Sequence, residues 1–484
     1  MSPRPRIPGG PPASLLVLAL GLMPGCSLTP RYERPTLPVP AAYKEAAPAG
    51  EPGVAWTPAR PGDRRPRGRW WTIYRDSQLD ALEDKLGAAN QTVAAAEASY
   101  RAARATALAA RSALFPVIGT TPALERVRNS QNWTSAANAG AIVNEYSFPV
   151  DASYELDLWR RAGNTARARA LEAEASAADL GTALLSVQAE LAQDYFTVRA
   201  LDAEQRILDQ AVASFRDALK ATQTLAHTGI DSDEDVLRAQ SQLDAAIAQA
   251  TDLKASRALY EHAVAVLIGI PPADFSLAPA PLDSPPPEVP AGVPSDLLER
   301  RPDIAAAERR VAAANAGIGV ARTAYFPSLT LGATGGWEAT STARWFAWPS
   351  RFWSLGPQLG ATLFDWGARR AVTEEAKAAF DQAAAEYRRT VLSAFESVED
   401  NVAALRVLQE EAGEEHAAVE SSRHLLQLAT ARYKLGIDSY LNVVTAQTTL
   451  LSSQENEAQI RLRWMTASVS LVKALGGGWN AAQE

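Results

Sequence analysis

Few side chains in this sequence could form a catalytic or metal-binding site. Its four histidines, His227, His262, His416 and His424, include no pair at the i,i+3 or i,i+4 spacing that sets two ligands on one helix face. Cys26 is the only cysteine, which excludes an internal disulfide and a multi-cysteine metal site. The formal net charge of −8 argues against a nucleic-acid partner. We therefore expect no enzyme, no catalytic residue, no metal and no cofactor.

Arg300-Arg301-Pro302-Asp303 is the remaining charged cluster that could suggest catalysis. Pro302 suits the first turn of a helix, where its missing N–H is not needed. Asp303 suits the positive end of the helix dipole. We interpret the cluster as structural, with the arginines paired to neighbouring carboxylates.

The surroundings of Cys26 predict that it carries lipid. Residues 1–25 have a basic start, with Arg4 and Arg6, and continue with an apolar run that has signal-peptide length and is too short to span a bilayer. Pro24-Gly25-Cys26 resembles the bacterial lipobox, in which cleavage before the cysteine exposes it for acylation. By the same resemblance, Ser27 rather than Asp implies sorting to the outer membrane. The alternative is an ordinary signal peptide that happens to contain a cysteine.

The chain contains an internal duplication. Gly229-Ile230-Asp231-Ser232 returns 207 residues later as Gly436-Ile437-Asp438-Ser439, and a second register, offset by 211, pairs Phe115-Pro116 with Phe326-Pro327. A period near 200 residues is far too long for a solenoid unit of about 20–50 residues. We therefore expect two copies of one module whose long helices and short strands recur in the same order.

Proline-rich segments divide the chain. One contains nine prolines and predicts an extended N-terminal arm over residues 26–75. A second, at 271–294, is a linker between a first repeat, 76–270, and a second repeat, 295–475. A short tail, 476–484, follows the second repeat.

Helical periodicity dominates both repeats. From Asn164, a candidate N-cap, apolar residues recur in steps of three and four until Gly229, which predicts a helix of roughly 90–100 Å. The second repeat has an equivalent helix from Ala368 to Leu435. A turn and a returning helix follow each one, at 233–268 and 439–474, so each repeat contributes an antiparallel hairpin. Periodicity alone leaves a solvated coiled coil open as an alternative.

Strand-like segments occur twice in each repeat, at 115–124, 147–158, 326–337 and 352–364. In the last of these, apolar residues alternate with polar or small ones. Aromatic side chains near the ends of the segments are typical of the girdles of an outer-membrane barrel; they are Trp133, Tyr146, Trp337, Trp345, Trp348, Trp353 and Trp366. A soluble sheet packed on the helices is the alternative, and it would explain the alternation about as well but the excess of tryptophan less well.

Four strands cannot close a barrel. An open sheet edge in lipid would leave backbone N–H and C=O groups unpaired, so strands that enter a membrane must share one barrel with other chains. Three copies give twelve strands, an even number within the range of known barrels. The same three copies give twelve hairpin helices.

These features resemble the TolC/OprM family of outer-membrane efflux channels, in particular the lipid-anchored branch found with resistance-nodulation-division (RND) pumps. The motifs that carry the resemblance are Leu298 to Ile304, Ala324 to Pro327, Gly436 to Leu441 and Ala474 to Trp479. The resemblance implies a mainly α fold with membrane β: a duplicated module that forms a homotrimer with a 12-stranded β-barrel continued by a long periplasmic α-barrel. It also implies a location in the outer membrane, with a lipid anchor and an extension into the periplasm.

The function implied by the resemblance is passive conduction of drugs or other toxic small molecules to the exterior, from an inner-membrane RND-type pump and a periplasmic membrane-fusion adaptor. Two alternatives stay open. One is a periplasmic coiled-coil scaffold lipoprotein. The other is the channel of a type I protein-secretion or metal-efflux system.

The turns between paired helices are the functional tips that the resemblance implies. They would meet the adaptor and close the periplasmic end of the tunnel, and their residues are Gly229, Asp231, Ser232, Gly436, Asp438 and Ser439. A structural explanation also suffices for four of them. The glycines suit a helix C-terminus at positive φ, and the serines are candidate N-caps of the returning helices.

The gate is the second site that the resemblance implies. In relatives, the helix after the second tip carries a leucine and, four residues later, an aspartate, and both form constricting rings. The matching residues here are Leu441 and Thr445, and Asn442 between them is also neutral. The apolar ring is therefore expected and the acidic ring is in doubt. Residues 233–235, Asp233, Glu234 and Asp235, could restore the negative charge or could serve only the helix N-terminus.

Overall fold

A computed structural model describes residues 28–37, 40, 43–45, 68–132, 140–229, 232–287, 289 and 300–477. Cys26, Trp133 and Asp231 lie outside these ranges, as do the segment 1–25 and the last seven residues of the tail. The chain divides into two compact units. The first unit comprises residues 1–35, 101–174 and 308–386, and the second comprises 36–100, 175–307 and 387–484.

Helices form most of the described chain. They are α1 (Ser77–Ala89), α2 (Gln91–Ser112), α3 (Arg161–His227), α4 (Asp233–Leu267), α5 (Pro302–Thr323), α6 (Ala368–Lys434) and α7 (Tyr440–Ala474). The long helices α3 and α6 each have 67 residues, and the returning helices α4 and α7 each have 35. The predicted pairs of long and returning helices are confirmed, and their equal lengths agree with the duplication.

The start of α3 differs from the prediction. Asn164 is not the N-cap but lies inside the first turn, where it is buried. The capping group is the carboxylate of Asp157, which accepts the backbone N–H of Ala162 at 2.8 Å and that of Gly163 at 2.7 Å. A carboxylate at this position also complements the positive end of the helix dipole.

The first unit contains an antiparallel sheet in the order β1-β3-β4-β5, with β2 also paired to β3. The strands are β1 (Val117–Thr120), β2 (Ala123–Arg128), β3 (Ile142–Leu156), β4 (Ser328–Ala339) and β5 (Arg351–Gly360). The predicted strand 115–124 is therefore broken into β1 and the start of β2. Pro122 lies at the break, because proline has no N–H to donate to the ladder. The next strand begins at Ile142, not at residue 147 as predicted.

The register of the sheet separates its two faces chemically. Directly paired residues in neighbouring strands point to the same side. Leu355 therefore shares one face with Ala333, whereas its neighbour Ser354 shares the other face with Thr334 and Asp151. The hydroxyl of Thr334 lies 2.7 Å from a carboxylate oxygen of Asp151 and donates a hydrogen bond to it. One face is thus apolar and the other polar, as the alternation in the last predicted strand indicated.

The core of the second unit includes a segment that the composition assigned to the extended arm. Residues Trp70–Tyr74 form a short 3-10 helix, and both Trp70 and Trp71 are buried. They pack with Leu79 and Leu86 of α1 and with Leu191 of α3 in one apolar cluster. The arm therefore ends before Trp70, because two tryptophans gain more from burial than from an extended path along a surface.

A buried ionic network fixes the start of the linker to the second unit. The carboxylate of Asp202 accepts hydrogen bonds from Arg257 at 2.6 Å, from the N–H of Ala280 at 2.9 Å and from Arg199 at 3.2 Å. Arg257 also donates to the carbonyl oxygen of Leu277 at 2.8 Å. Because every charged member has partners, the network holds residues 277–280 against α3 and α4.

The described parts of the N-terminal arm have no helix or strand and are held by side chains of later helices. In the first unit, the hydroxyl of Tyr32 donates to Glu308 of α5 at 2.5 Å. In the second unit, Glu399 of α6 accepts the backbone N–H groups of Lys44 at 2.8 Å and of Glu45 at 3.0 Å. The arm is therefore fixed through residues of the second repeat.

The cluster at residues 300–303 has a structural role, as predicted. Pro302 is the first residue of α5, and Arg301 pairs with Asp303 at 2.7 Å. Arg301 also donates to the carbonyl oxygen of Ala474 at the end of α7, at 2.9 Å. The motif therefore joins the start of one helix to the end of another.

Candidate functional site

The apolar face of the sheet is exposed in the single chain. Trp353 on β5 is 81% exposed, and Leu355 and Ile118, on the same face, are also exposed. A soluble monomer rarely leaves an apolar surface of this extent uncovered. The opposite face carries the polar pair of Thr334 and Asp151, so the sheet is suited to lipid on one side and water on the other.

Aromatic side chains flank the sheet at both ends. At one end, a chain of ring contacts with centroids 5.0–6.4 Å apart joins Tyr146, Phe148, Trp337, Trp345 and Phe346. At the other end, Trp159 contacts Phe326 at 4.7 Å and Phe364 contacts Trp366 at 5.0 Å. Two aromatic bands around an apolar face are typical of a β-structure whose ends lie at the membrane interfaces.

The first helix tip joins α3 to α4. Gly229 has a φ of +78°, in the left-handed region that favours glycine, and its N–H donates to the carbonyl oxygen of Ala226 at 2.9 Å. Ser232 is the N-cap of α4, as predicted, because its hydroxyl oxygen accepts the N–H of Asp235 at 3.2 Å.

The second helix tip joins α6 to α7 through a Schellman motif. Gly436 has a φ of +69°, and the N–H groups of Gly436 and Ile437 donate to the carbonyl oxygens of Tyr433 and Arg432 at 2.9 and 3.0 Å. Ser439 occupies the N-cap position of α7, but its side chain makes no capping hydrogen bond. The predicted cap bond is therefore absent at the second tip.

An ion pair closes the second tip. Nε of Arg432 lies 2.6 Å from the carboxylate of Asp438, and the hydrogen bond that it donates lowers the pKa of Asp438. The repeat register places Leu225 where the second copy has Arg432, so the first tip lacks the equivalent pair. Helical periodicity does not predict this pair; its signal in the sequence is the replacement of Leu225 by Arg432 between the two copies.

The predicted gate residues lie on one exposed face at the start of α7. Leu441 is 48% exposed, Asn442 and Thr445 are exposed, and the Thr445 hydroxyl donates to the carbonyl oxygen of Leu441 at 2.9 Å. The opposite face of the same turns carries Tyr440 and Val443, which are buried. Both belong to an apolar cluster to which all four hairpin helices contribute. The packing face is thus separate from the predicted gate face.

Acidic residues stand at the start of α4, on the first tip. Asp233, Glu234 and Asp235 occupy its first turn. Asp235 accepts a hydrogen bond from the hydroxyl of Ser232 at 2.7 Å, and Glu234 forms an ion pair with Arg238. Two of the three carboxylates therefore have local partners, which leaves Asp233 as the residue with the weakest structural explanation.

In the described parts of the chain, no helix combines the length and the apolar composition needed to cross a membrane. The fold, with two long helical hairpins and an amphipathic sheet, is that of the TolC-like outer-membrane channels. The chain belongs to the outer membrane efflux protein family, whose sequence profile matches residues 82–270 and 293–477. This is a family of outer-membrane efflux channels, not of enzymes.

Individual relatives cover almost the whole chain. The toluene efflux pump outer membrane protein TtgC of Pseudomonas putida is 32% identical over 473 residues, which are 96% of each chain. The pyoverdine export outer membrane protein OpmQ of Pseudomonas aeruginosa is 31% identical over 476 residues, which are 97% of each chain. The solved structure of the outer-membrane channel OprN superimposes with a TM-score of 0.83 and 30% identity, and covers 94% of this chain and 100% of that one.

These comparisons favour the predicted channel over the alternative of a periplasmic scaffold lipoprotein, which explains neither the family membership nor the amphipathic sheet. The chain is an outer-membrane channel of a tripartite efflux system, located in the outer membrane and extending into the periplasm.

Proposed function

We propose that this chain forms a homotrimeric conduit that passes small organic molecules from a periplasmic adaptor and an inner-membrane RND-type pump to the exterior. The observation that carries the proposal is the sheet, which has an exposed apolar face, a polar opposite face and edge strands that are paired on one side only within the described chain. Relatives named for efflux of toluene and for export of pyoverdine favour small organic molecules as the substrate class.

The edges of the sheet support a trimer. Among the described strands, β5 pairs only with β4, and β1 and β2 pair only with β3. A lipid-exposed edge would leave its N–H and C=O groups unpaired, so a neighbouring chain must complete the ladder at each edge. Treating β1 and β2 as one interrupted strand, three chains give twelve strands around a closed barrel.

The helix tips and the gate have separate roles in this proposal. Gly229, Ser232, Gly436, Asp438 and Ser439 would present the turns to the adaptor, together with Asp231, which lies outside the described residues. Leu441 would face the pore axis as an apolar ring, because its side chain is exposed on the side of α7 away from the core. Asn442 and Thr445 on the same face are neutral, so this level of the pore would not select cations by charge.

Lipid on Cys26 would anchor the arm to the outer membrane after removal of residues 1–25. The proposal rests on the lipobox-like junction, because Cys26 lies outside the described residues. Two membrane attachments, lipid and barrel, would then hold each chain.

Two substitutions at neighbouring positions of β5 test the channel. Leu355→Arg places a charge on the apolar face, where it should destabilise the inserted barrel by about 2–4 kcal/mol near the bilayer midplane. Ser354→Arg places the same charge on the polar face, where the barrel should assemble and the conductance in planar bilayers should shift towards anions. Heat-resistant trimer on a detergent gel and single-channel recording measure the two effects.

Equal tolerance of both substitutions would contradict the assignment of the two faces to lipid and to the lumen. Because the proposed Leu441 ring keeps the resting pore narrow, the channel would be contradicted if both the wild type and Leu441→Ala inserted without conducting. A monomer stable in the membrane would contradict the shared barrel.

A further inference from the structure

One end of the sheet carries its charged residues on separate faces. It is the end at which residues 129–141 connect β2 to β3 and residues 340–350 connect β4 to β5, opposite to the end that leads into α3 and α6. Because directly paired residues point to the same side, the register assigns each charged side chain of the strands to the apolar or to the polar face. None of the roles described above uses this distribution of charge.

Two arginines of β2 lie on the apolar face. Ile118, which belongs to that face, is paired with Ala152 of β3. Asn144 precedes Ala152 by eight residues, an even number, so it points to the same side. Its partner Arg126 therefore lies on the apolar face, as does Arg128 two residues further along β2. Both arginines are exposed.

The strand β5 adds a third arginine to this face at the same end. Arg351 is four residues before Leu355 and is paired with Trp337, a member of the aromatic band. Its guanidinium group lies against the ring of Trp348, and its Nε donates to the carbonyl oxygen of Trp348 at 3.0 Å. Neither partner is anionic, so these contacts hold the positive charge in place without neutralising it.

The apolar face offers these arginines no carboxylate at this end. The two connections, 129–141 and 340–350, contain no aspartate or glutamate. Among the residues that the structure describes, Arg126 and Arg128 have no hydrogen-bond or ion-pair partner for their side chains. The three arginines therefore form an uncompensated positive surface above the apolar band.

The acidic strand residues of the same end lie on the polar face. Glu125 is directly paired with Glu145, and Glu338 is paired with Ser147, two residues after Glu145. Like charges directly opposite each other on one face are unfavourable. The strands thus separate the carboxylates from the arginines, where a different register could have paired them. Each face must find ions of the opposite sign outside the sheet.

The arginines lie at the level of the lipid headgroups. Aromatic bands mark the boundary between hydrocarbon and headgroups. Arg126 follows Leu124, the partner of Tyr146 in the aromatic band, by two residues. At about 3.3 Å per residue and a strand tilt of about 40°, Arg126 lies roughly 5 Å beyond the band and Arg128 roughly 10 Å. The polar layer of one leaflet is about 5–8 Å thick, so Arg126 lies within it and Arg128 at its outer limit.

A shared barrel concentrates these charges where two chains meet. At this end of the sheet, β2 and β5 are the edge strands of the described chain. Closing the barrel places β2 of one chain beside β5 of the next, and so brings Arg126 and Arg128 to the same boundary as Arg351. Positive charges that share one face repel each other unless anions lie between them.

We propose that these arginines bind the phosphate groups of anionic lipids in the outer leaflet of the outer membrane, at the three boundaries between chains. A guanidinium group donates two parallel hydrogen bonds to a phosphate, and the arginines come from both edge strands. The acyl chains lie along the apolar face, against Trp353 and Leu355. The inference rests on the proposed function, because it requires the shared barrel. The helices extend into the periplasm, so the opposite end of the sheet faces the outer leaflet.

The test measures lipid binding by native mass spectrometry of the full-length protein, delipidated in detergent. The probe is diphosphoryl lipid A, whose sugar headgroup carries two phosphates, and its reference is the same lipid after removal of both phosphates. The double variant Arg126→Gln/Arg128→Gln removes two of the charges. Its matched control, Arg160→Gln/Arg167→Gln, removes two exposed arginines, unpaired in the described structure, around the start of α3 at the other end of the sheet.

The wild type and the control should bind diphosphoryl lipid A equally, and the test variant should bind it at least about tenfold more weakly. Equal binding by the two double variants would overturn the proposal. Binding of the phosphate-free lipid as tight as that of the intact lipid would also overturn it, because the acyl chains and sugars alone would then bind. This second comparison uses the wild type, so it decides even where the test variant fails to fold.

The boundaries between chains provide a second measurement. Diphosphoryl lipid A should raise the temperature at which the wild-type trimer dissociates on a detergent gel, and it should not do so for Arg126→Gln/Arg128→Gln. Without lipid, the test variant should dissociate at the wild-type temperature or above it, because it lacks the repulsion between arginines. Earlier dissociation without lipid would show that the arginines hold the strands together directly, and would overturn the proposal.

Single-channel recording separates this inference from the proposed function. Conduction by the wild type or by Leu441→Ala, together with equal lipid binding by the two double variants, would refute the lipid surface and leave the channel intact. If neither protein conducts, the channel is refuted, whatever lipid the arginines bind.

Discussion

Leu441→Ala tests whether the exposed start of α7 limits the pore. Three leucines facing one axis would form a narrow apolar ring that resists the passage of ions by dewetting. Alanine shortens each side chain, so the ring should widen and fill with water. We expect a higher single-channel conductance and entry of a large antibiotic such as vancomycin into cells that express the variant.

The structure predicts a small stability cost for this substitution. Full burial of a leucine side chain contributes about 1.5–3 kcal/mol, and Leu441 is 48% exposed. Leu441→Ala should therefore lower the stability by only about half of that, or about 1 kcal/mol. Val443, two residues later, is 3% exposed and belongs to the apolar cluster of the four helices. Val443→Ala should therefore cost about 2 kcal/mol or more, since a cavity adds to the lost burial.

Bilayer recording and thermal unfolding of the same two variants separate gating from packing. Leu441→Ala should change the conductance with little change in melting temperature, and Val443→Ala should do the reverse. A leucine variant that melts as early as the valine variant and conducts like the wild type would refute the reasoning, because Leu441 would then pack against another chain.

Three further predictions concern the anchor, the linker and the core. Cys26→Ser should abolish labelling by a radioactive fatty acid, and persistent label would contradict the lipid anchor. Asp202→Asn takes the carboxylate from the buried Arg199 and from the partly buried Arg257, which keeps Glu261, and should lower the free energy of unfolding by about 3–5 kcal/mol. A free energy of unfolding within about 1 kcal/mol of the wild type would count against the network. Burial, followed by repulsion from Asp84 and Asp80, raises the pKa of Glu83 from 4.5 to about 9, so the folded chain keeps a proton that the unfolded chain loses. The free energy of unfolding should then fall as pH rises between those two values, by at most about 1.4 kcal/mol per pH unit. Thermal melts at acidic and basic pH should show a smaller fall for Glu83→Gln than for the wild type. Equal pH dependence of the two proteins would refute the pKa shift.

Periodic features of the fold could be predicted from the sequence. The ends of α6 and α7 agree with the prediction within about one residue. A long apolar repeat marks the two helices, and Gly436 marks the turn between them. The start of α3 could not be predicted as well. Asn164 is a good N-cap by residue type, but the helix starts before it and is capped by Asp157, which precedes the first turn. A contact over five or six residues leaves no periodic signal in the sequence.

Interactions between distant segments were the other part that the sequence did not reveal. Residues 26–75 are rich in proline throughout, and their composition does not show that Trp70 and Trp71 are buried in a core while the preceding residues form an extended arm. Likewise, the unpaired Arg160 and the paired Arg161 are adjacent and identical in type. Only the folded structure shows which arginine has a partner.

The hydrogen bonds that hold the N-terminal arm imply an order of folding. Tyr32 and Glu308 are 276 residues apart, and Lys44 and Glu399 are 355 residues apart, so the arm is synthesised long before the helices that hold it. Contacts of such large sequence separation form slowly, because the intervening chain must first be closed into a loop. Tyr32 and Lys44 therefore cannot form these contacts until the second repeat has been synthesised. For a protein that must be threaded across the inner membrane before it can assemble in the outer one, that delay keeps the chain in a state that the export machinery can still move.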